Sequence, residues 1–118
     1  MARSLLLTNV IFVHTVLYVQ WKRAMIFEWD EAKNKINKAK HHVSFENAKR
    51  VFLDPYCLTL FDRVKDGEDR WHTIGLVDGV LLLLVVHATR HEERAEVIEI
   101  ISARRPTSHE RRRYEEGE

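Results

Sequence analysis

Cysteine is almost absent from this chain: Cys57 stands alone. One thiol excludes an internal disulfide framework, and nothing resembles the paired spacing of a zinc site. Cys57 lies in an apolar run, so it reads as a buried, inert thiol rather than a nucleophile. Net charge is scarce too. Nineteen Lys and Arg stand against eighteen Asp and Glu, a balance of +1, so the chain has no blanket basic character. There is no internal repeat and no Gly/Pro/Ser-rich linker, with only four glycines and two prolines in all. At 118 residues the chain is one domain at most, able to form a modest core without staples. An intracellular, cytoplasmic protein is expected.

The charge that is present is unevenly placed. All seven lysines lie at or before Lys65, and from Arg70 onward every fixed positive charge is arginine. The last quarter concentrates them. Val97 to Ile101 reads as a buried strand that runs into Arg104 and Arg105. After Pro106 a short helix carries Arg111, Arg112, Arg113 and Tyr114. Arginine grips phosphate with a planar fork, and a strand end aims it rigidly. This pattern points to a phosphate-rich partner, RNA above all.

Residues 4–21 form an apolar run unlike the rest. Its length is near the lower limit for a membrane span, but Asn9 and His14 make spanning costly. The following Gln20-Trp21-Lys22-Arg23 is unlike a signal-peptide cleavage region. Its Val, Ile, Phe and Tyr content suits an extra strand. The favoured reading takes Met25 as the natural start, with 1–24 an N-terminal extension from a misassigned start and 25–118 the domain.

From there the pattern gives β-α-α-β-β-β-β-α. Ile26 to Trp29 is a short extended segment, and Asp30 caps a solvated helix over 31–40 that ends near His41-His42. Ser44 caps a second, amphipathic helix with Phe45, Ala48, Val51 and Phe52 at helical spacing, stopped by Asp54-Pro55. Strands are expected at 57–62, 70–77, 80–90 and 96–104, with an Asp78-Gly79 type I′ hairpin between the second and third. Thr107 and Glu110 form a capping box for the last helix. The expectation is an α+β fold with an antiparallel four-stranded sheet, two N-terminal helices on one face and a short C-terminal helix.

If Val77 opposes Val80 across the hairpin, Arg70 opposes His87. Trp71, Thr73, Val77, Leu82, Leu84, Val86 and Ala88 then face the helices, and Arg70, His72, Ile74, Leu83, Val85 and His87 face away. A four-residue loop at 91–94 adds Ile98, Ile100, Ser102 and Arg104 to that second face, a step that a one-residue slip would invert. A concave, basic, partly apolar face of this kind suits a single RNA strand. On the last helix Glu110, Arg113 and Tyr114 stand together at i, i+3, i+4.

Several strings carry a family resemblance: Phe27 to Asn34 (FEWDEAKN), Lys40-His41 with Val43 to Glu46, Val51-Phe52 with Asp54-Pro55, Asp66 to Arg70 with Ile74-Gly75, and Ile100 to Arg104 through Glu110-Arg111 and Tyr114. In this single order, over residues 25–115, the chain resembles the BrnT family, the toxins of type II toxin–antitoxin pairs. One departure is His42, where the family usually has Gly; a left-handed helix end there suits Gly, and His adopts it at some cost. The resemblance implies a RelE-like fold, a metal-independent ribonuclease of mRNA and no cofactor. It also implies a BrnA antitoxin with a ribbon-helix-helix part, through which alone DNA is touched. No membrane is expected.

Cleavage by ribose 2′-OH attack needs a base, positive charge on the phosphorane and an acid. Arg70 and Arg104 are candidates for the charge, or else members of structural ion pairs with residues such as Asp69 or Glu99. His87 is a candidate base or acid, or a strand histidine accommodated by hydrogen bonds. Lys40 and His41 are candidates for phosphate contact and proton donation, or else cations suited to a helix C-terminus. Tyr114 either stacks on a base and assists proton transfer or packs the last helix. Arg90, Arg112 and Arg113 are candidate RNA contacts; His72, His91 and His109 read as surface residues. Two other readings stand beside the nuclease: a non-catalytic antitoxin-binding module or corepressor of the same fold, and a membrane-associated protein resting wholly on residues 4–21.

Overall fold

A computed structural model describes residues 16–20 and 23–118. Its strands are β1 (Val16–Gln20), β2 (Arg23–Trp29), β3 (Leu58–Lys65), β4 (Glu68–Val77), β5 (Leu81–Glu92) and β6 (Ala95–Arg104). Its helices are α1 (Glu31–His41), α2 (Phe45–Ala48), which tightens into a 3-10 turn over Lys49–Leu53, and α3 (Ser108–Glu116). The strands form one sheet in the order β1-β2-β6-β5-β4-β3. β2 runs parallel to β6, and every other neighbouring pair is antiparallel.

The expected four-stranded antiparallel sheet is therefore a six-stranded mixed sheet among the described residues. The short extended segment at 26–29 is the inner part of β2, which lies along β6 from Ala24 opposite Ala95 to Trp29 opposite Ile100. Its burial explains the placement: Ala24, Met25 and Phe27 are all core residues. β2 begins at Arg23, so the strand runs across the boundary expected at Met25. Within the apolar run 4–21, residues 16–20 form β1 against β2; the rest of that run lies outside the described residues. No helix among the described residues is long and apolar enough to cross a membrane.

Local signals at the helix ends act as their chemistry dictates. The Asp30 carboxylate accepts the N–H groups of Ala32 and Lys33, and the Ser44 hydroxyl accepts that of Asn47. His42 ends α1 in the left-handed region at φ 60°. Thr107 and Glu110 form the expected reciprocal capping box. The second helix is shorter than its periodicity suggests. α2 becomes a 3-10 turn because it must lie directly on β4, where a Cβ on Gly75 would stand 2.7 Å from the Val51 carbonyl oxygen.

α1 is less solvated than its composition suggests, since Asn34 and Asn37 are buried. β2 ends opposite Ile100, so the outward backbone of β6 beyond it lacks a strand neighbour. Asn37 supplies one. Its amide donates to the carbonyls of Ala103 and Val43 at 2.8 and 2.9 Å, and its oxygen accepts the Ala103 N–H at 3.1 Å. The Asn34 oxygen likewise accepts the Phe45 N–H at 2.9 Å. Around these amides lies the main core of Met25, Phe27, Phe45, Ala48, Val51, Leu83, Val85, Ile98 and Ile100. A second cluster of Ile74, Leu82 and Leu84 packs with Tyr114 of α3. The sheet is thus covered by α1 and α2 on one face and by α3 on the other.

The β4–β5 hairpin decides what each face carries. Asp78 and Gly79 have φ of 55° and 71°, both positive as a type I′ turn requires, and the Val80 N–H bonds the Val77 carbonyl at 3.0 Å. The ladder then restarts one residue late, with Val77 opposite Leu81 and Trp71 opposite His87. Val80 is left outside it, 83% exposed. This slip inverts β5 relative to the simple two-residue hairpin. Leu83, Val85 and His87 face α1 and α2, and Leu82, Leu84 and Val86 face α3. A second irregularity in β6, where Val86 faces Ser102 but His87 faces Ile100, leaves Ile101 as the extra residue. Ile98 and Ile100 therefore stay with the main core, and Ser102 and Arg104 join the α3 face.

Replacing Asn37 by Ala strands three buried backbone groups, each worth about 1–3 kcal/mol when unsatisfied. Urea denaturation is expected to show a loss of about 3 kcal/mol or more, as a lowered midpoint with unchanged slope.

Candidate functional site

The α3 face gathers charged side chains from four elements. β4 contributes Arg70 and His72, two residues apart and so on the same side of the strand. β6 contributes Arg104, and α3 contributes Glu110 and Arg113. Asp62 of β3 completes the group, with Oδ1 3.9 Å from His72 Nδ1. His72, Arg70, Arg104 and Arg113 are all half-buried. The charges of Asp62, Glu110, Arg104 and Arg113 all act on His72.

Arg104 is the most constrained of them. Nη1 and Nη2 donate to the two Glu110 oxygens at 2.9 and 3.1 Å, and Nη1 also donates to the Arg105 carbonyl. This fork-on-carboxylate pair, with further bonds from Thr107, holds Glu110 down at about 2. Arg70 is held by Glu68, with Nη2 to Oε1 at 3.1 Å. Arg113 donates from Nε to the Glu118 carbonyl. Burial pushes the His72 imidazole below its usual value, aided by Arg104 and Arg113 and opposed by Asp62 and Glu110. It is therefore neutral near pH 7. His72 is not the plain surface residue expected from sequence. The signal that could have found it was its position two residues from Arg70.

His87 is absent from this group, contrary to the face expected for it. The hairpin slip turns it into the main core at 3% exposure. Its Nε2 lies 2.8 Å from the Thr73 hydroxyl and its Nδ1 3.2 Å from that of Thr89. Phe52 meets its ring edge-to-face at 5.2 Å. Burial, with repulsion from the His72 ring once that ring is protonated, lowers its pKa to about 4, so it is a neutral member of a hydroxyl network.

Tyr114 anchors α3. Its hydroxyl donates to Asp54 Oδ2 at 2.5 Å, and burial and the Asp54 carboxylate push its pKa up to about 12. Burial drives the Asp54 carboxyl up, but bonds from the Leu76 N–H, Tyr114 and the Tyr56 N–H outweigh it and hold the pKa below the usual value. Asp54, expected only to stop the second helix, thus ties that helix end to β4 and α3.

The other candidates lie apart. Lys40 and His41 end α1, exposed and half-buried respectively, on the helix that packs against β6 through Asn37. Arg90 is exposed and bonds Glu92 and Glu28. It stands six residues along β5 from Leu84, the partner of Arg104, roughly 20 Å away at strand rise. Arg112 is on the outer side of α3, exposed. Cys57 is half-buried, and burial raises its thiol pKa. No group of three or more His, Cys, Asp or Glu suited to a metal ion occurs among the described residues.

Comparison with known proteins gives two findings. The family described as "Ribonuclease toxin, BrnT, of type II toxin-antitoxin system" matches residues 29–110. Among solved structures, the Brucella abortus ribonuclease toxin BrnT is similar at 24% identity, covering 71% of this chain and 97% of that one, with a TM-score of 0.49. No curated protein matches the chain.

The buried His87 makes a pH-dependent prediction. Its folded pKa is depressed below the ordinary 6.5, to about 4. The stability this contributes is therefore full above about 6.5 and is lost as pH falls toward about 4. NMR titration should show the His87 ring protonating near 4, and unfolding free energy should fall by up to about 1.4 kcal/mol per pH unit across that window.

Proposed function

The chain belongs to the BrnT family of ribonuclease toxins of type II toxin–antitoxin systems, and on that footing we propose that it is an mRNA-cleaving endoribonuclease whose site is the α3 face of the sheet. The observation that carries this reading is the gathering of one neutral imidazole, His72, with Arg70, Arg104 and Arg113 on a single half-buried patch. The ribose 2′-oxygen attacks the adjacent phosphorus as His72 takes its proton. The P–O5′ bond breaks, leaving a 2′,3′-cyclic phosphate and a 5′-hydroxyl whose proton comes from water. An imidazole held below its usual pKa is in the base form at neutral pH. The guanidinium groups offset the charge that builds on the phosphorane. Arg104 uses three of its five N–H groups on Glu110 and Arg105 and has the rest for phosphate. His72 takes the role expected for His87, and Tyr114 acts by holding α3 in place. A BrnA-type ribbon-helix-helix antitoxin is the partner that neutralises the enzyme in the cytoplasm, and DNA is touched only through it.

A second reading has an observation of its own. Arg104 and Arg70 both sit in carboxylate pairs, as they would in a non-catalytic antitoxin-binding module. RNA cleavage by the purified protein, in chelator, separates the two. The nuclease reading expects cleavage to 2′,3′-cyclic ends, with His72→Ala and Arg104→Ala each slowing it by about 100-fold or more while circular dichroism shows the fold retained. Intact RNA together with tight antitoxin binding would carry the module instead.

A further inference from the structure

The edge strand β3 contains one bulge, at Asp62. Phe61 stands opposite Trp71, and the next pair is Arg63 with Arg70. In an unbroken ladder Asp62 would face Arg70 as a cross-strand ion pair. The extra residue gives that place to Arg63, so two arginines oppose each other, an arrangement that costs stability. Arg70 turns to Glu68 instead. Bulges of this kind are a means of re-aiming a side chain beside a site, and here the re-aimed group is a carboxylate. Asp62 Oδ1 lies 3.9 Å from His72 Nδ1, and Oδ2 is braced by Arg63 Nε at 3.3 Å. Both side chains are largely covered, at 27% and 17% exposure.

A neutral imidazole carries one proton, and the partner of one nitrogen decides which nitrogen keeps it. We propose that Asp62 is the positioning residue of this site, holding the His72 proton on Nδ1 so that Nε2 presents its lone pair to the RNA 2′-hydroxyl. This rests on the reading of His72 as the base. The 3.9 Å separation is long for a hydrogen bond, as such contacts often are before substrate binds and tightens them. The other groups acting on His72 are Glu110 and Arg113 from α3 and Arg104 from β6; His87 of β5, which feels the His72 ring, lies behind it, and Arg70 lies two residues away on the same strand. Asp62 and Glu110 favour the charged ring; Arg104 and Arg113 oppose it. Of the two carboxylates, Glu110 is committed to Arg104, which leaves Asp62 to orient the ring.

The experiment is nitrogen NMR of the His72 ring in the full chain, beside the pH profile of RNA cleavage, for wild type, Asp62→Asn and Asp62→Glu. Wild type is expected to hold the proton on Nδ1. Asp62→Asn removes a negative charge, so the His72 pKa falls and the acid limb of kcat/KM moves to lower pH. Its plateau kcat drops at least about tenfold with KM little changed, and Asp62→Glu recovers part of the loss. A wild-type ring protonated on Nε2, or a tautomer and titration unmoved in Asp62→Asn, overturns the proposal. The wild-type spectrum decides this even if a variant fails to fold. Wild-type cleavage by His72→Ala would instead overturn the assignment of His72 as base, and the ring spectra would still report whether Asp62 orients it.

Discussion

The α3 face depends on the register between β4 and β5, and that register turns on Val80. The Asp78-Gly79 turn closes normally, but the ladder resumes at Leu81, so each β5 side chain lies on the face opposite to that of a simple two-residue hairpin. His87 goes inward to Thr73, Thr89 and Phe52. Leu82, Leu84 and Val86 go outward, forming with Ile74 and Leu76 an apolar floor for Tyr114. The irregularity in β6 then brings Arg104 onto the same face. With either strand one residue out of step, the imidazole and the arginines of this face would be sorted differently.

α3 rests on that floor without a single buried residue of its own. Polar contacts at two points hold it: the Arg104–Glu110 fork near its start and the Tyr114–Asp54 bond near its end. Both are charge-assisted, the stronger kind of hydrogen bond. The same helix completes the patch around His72 through Glu110 and Arg113. Its docking and the electrostatics of the site are therefore one set of contacts. A substitution at Arg104 or Glu110 acts on both, and this is why activity has to be read alongside fold in any variant there.

Much of the architecture was legible from local chemistry. Asp30, Ser44 and Thr107 with Glu110 marked helix starts because side-chain oxygens satisfy the first backbone N–H groups wherever the helix later packs. The paired Glu110, Arg113 and Tyr114 face of α3 followed from helical spacing alone. Asn34 and Asn37 were illegible as core residues, since a polar amide in a Lys-rich helix looks solvated until a strand end needs its hydrogen bonds. β2 was read as a short extended segment because nothing local says that Ile26, Phe27 and Trp29 will lie parallel to a strand some seventy positions on.

By itself, then, the sequence determined the element types, the caps, the turn at Asp78-Gly79 and the arginine-rich character of the C-terminal strand and helix. The family likeness followed from the order of its short strings. Only the tertiary structure decided which histidine meets those arginines. The run Leu81 to Val86 is apolar at every position, so its alternation prefers neither face, and nothing in it resists a one-residue slip. Packing against α1 and α2 on one side and α3 on the other settled the register. That choice buried His87 and left His72 on the face that carries Asp62 and Arg104.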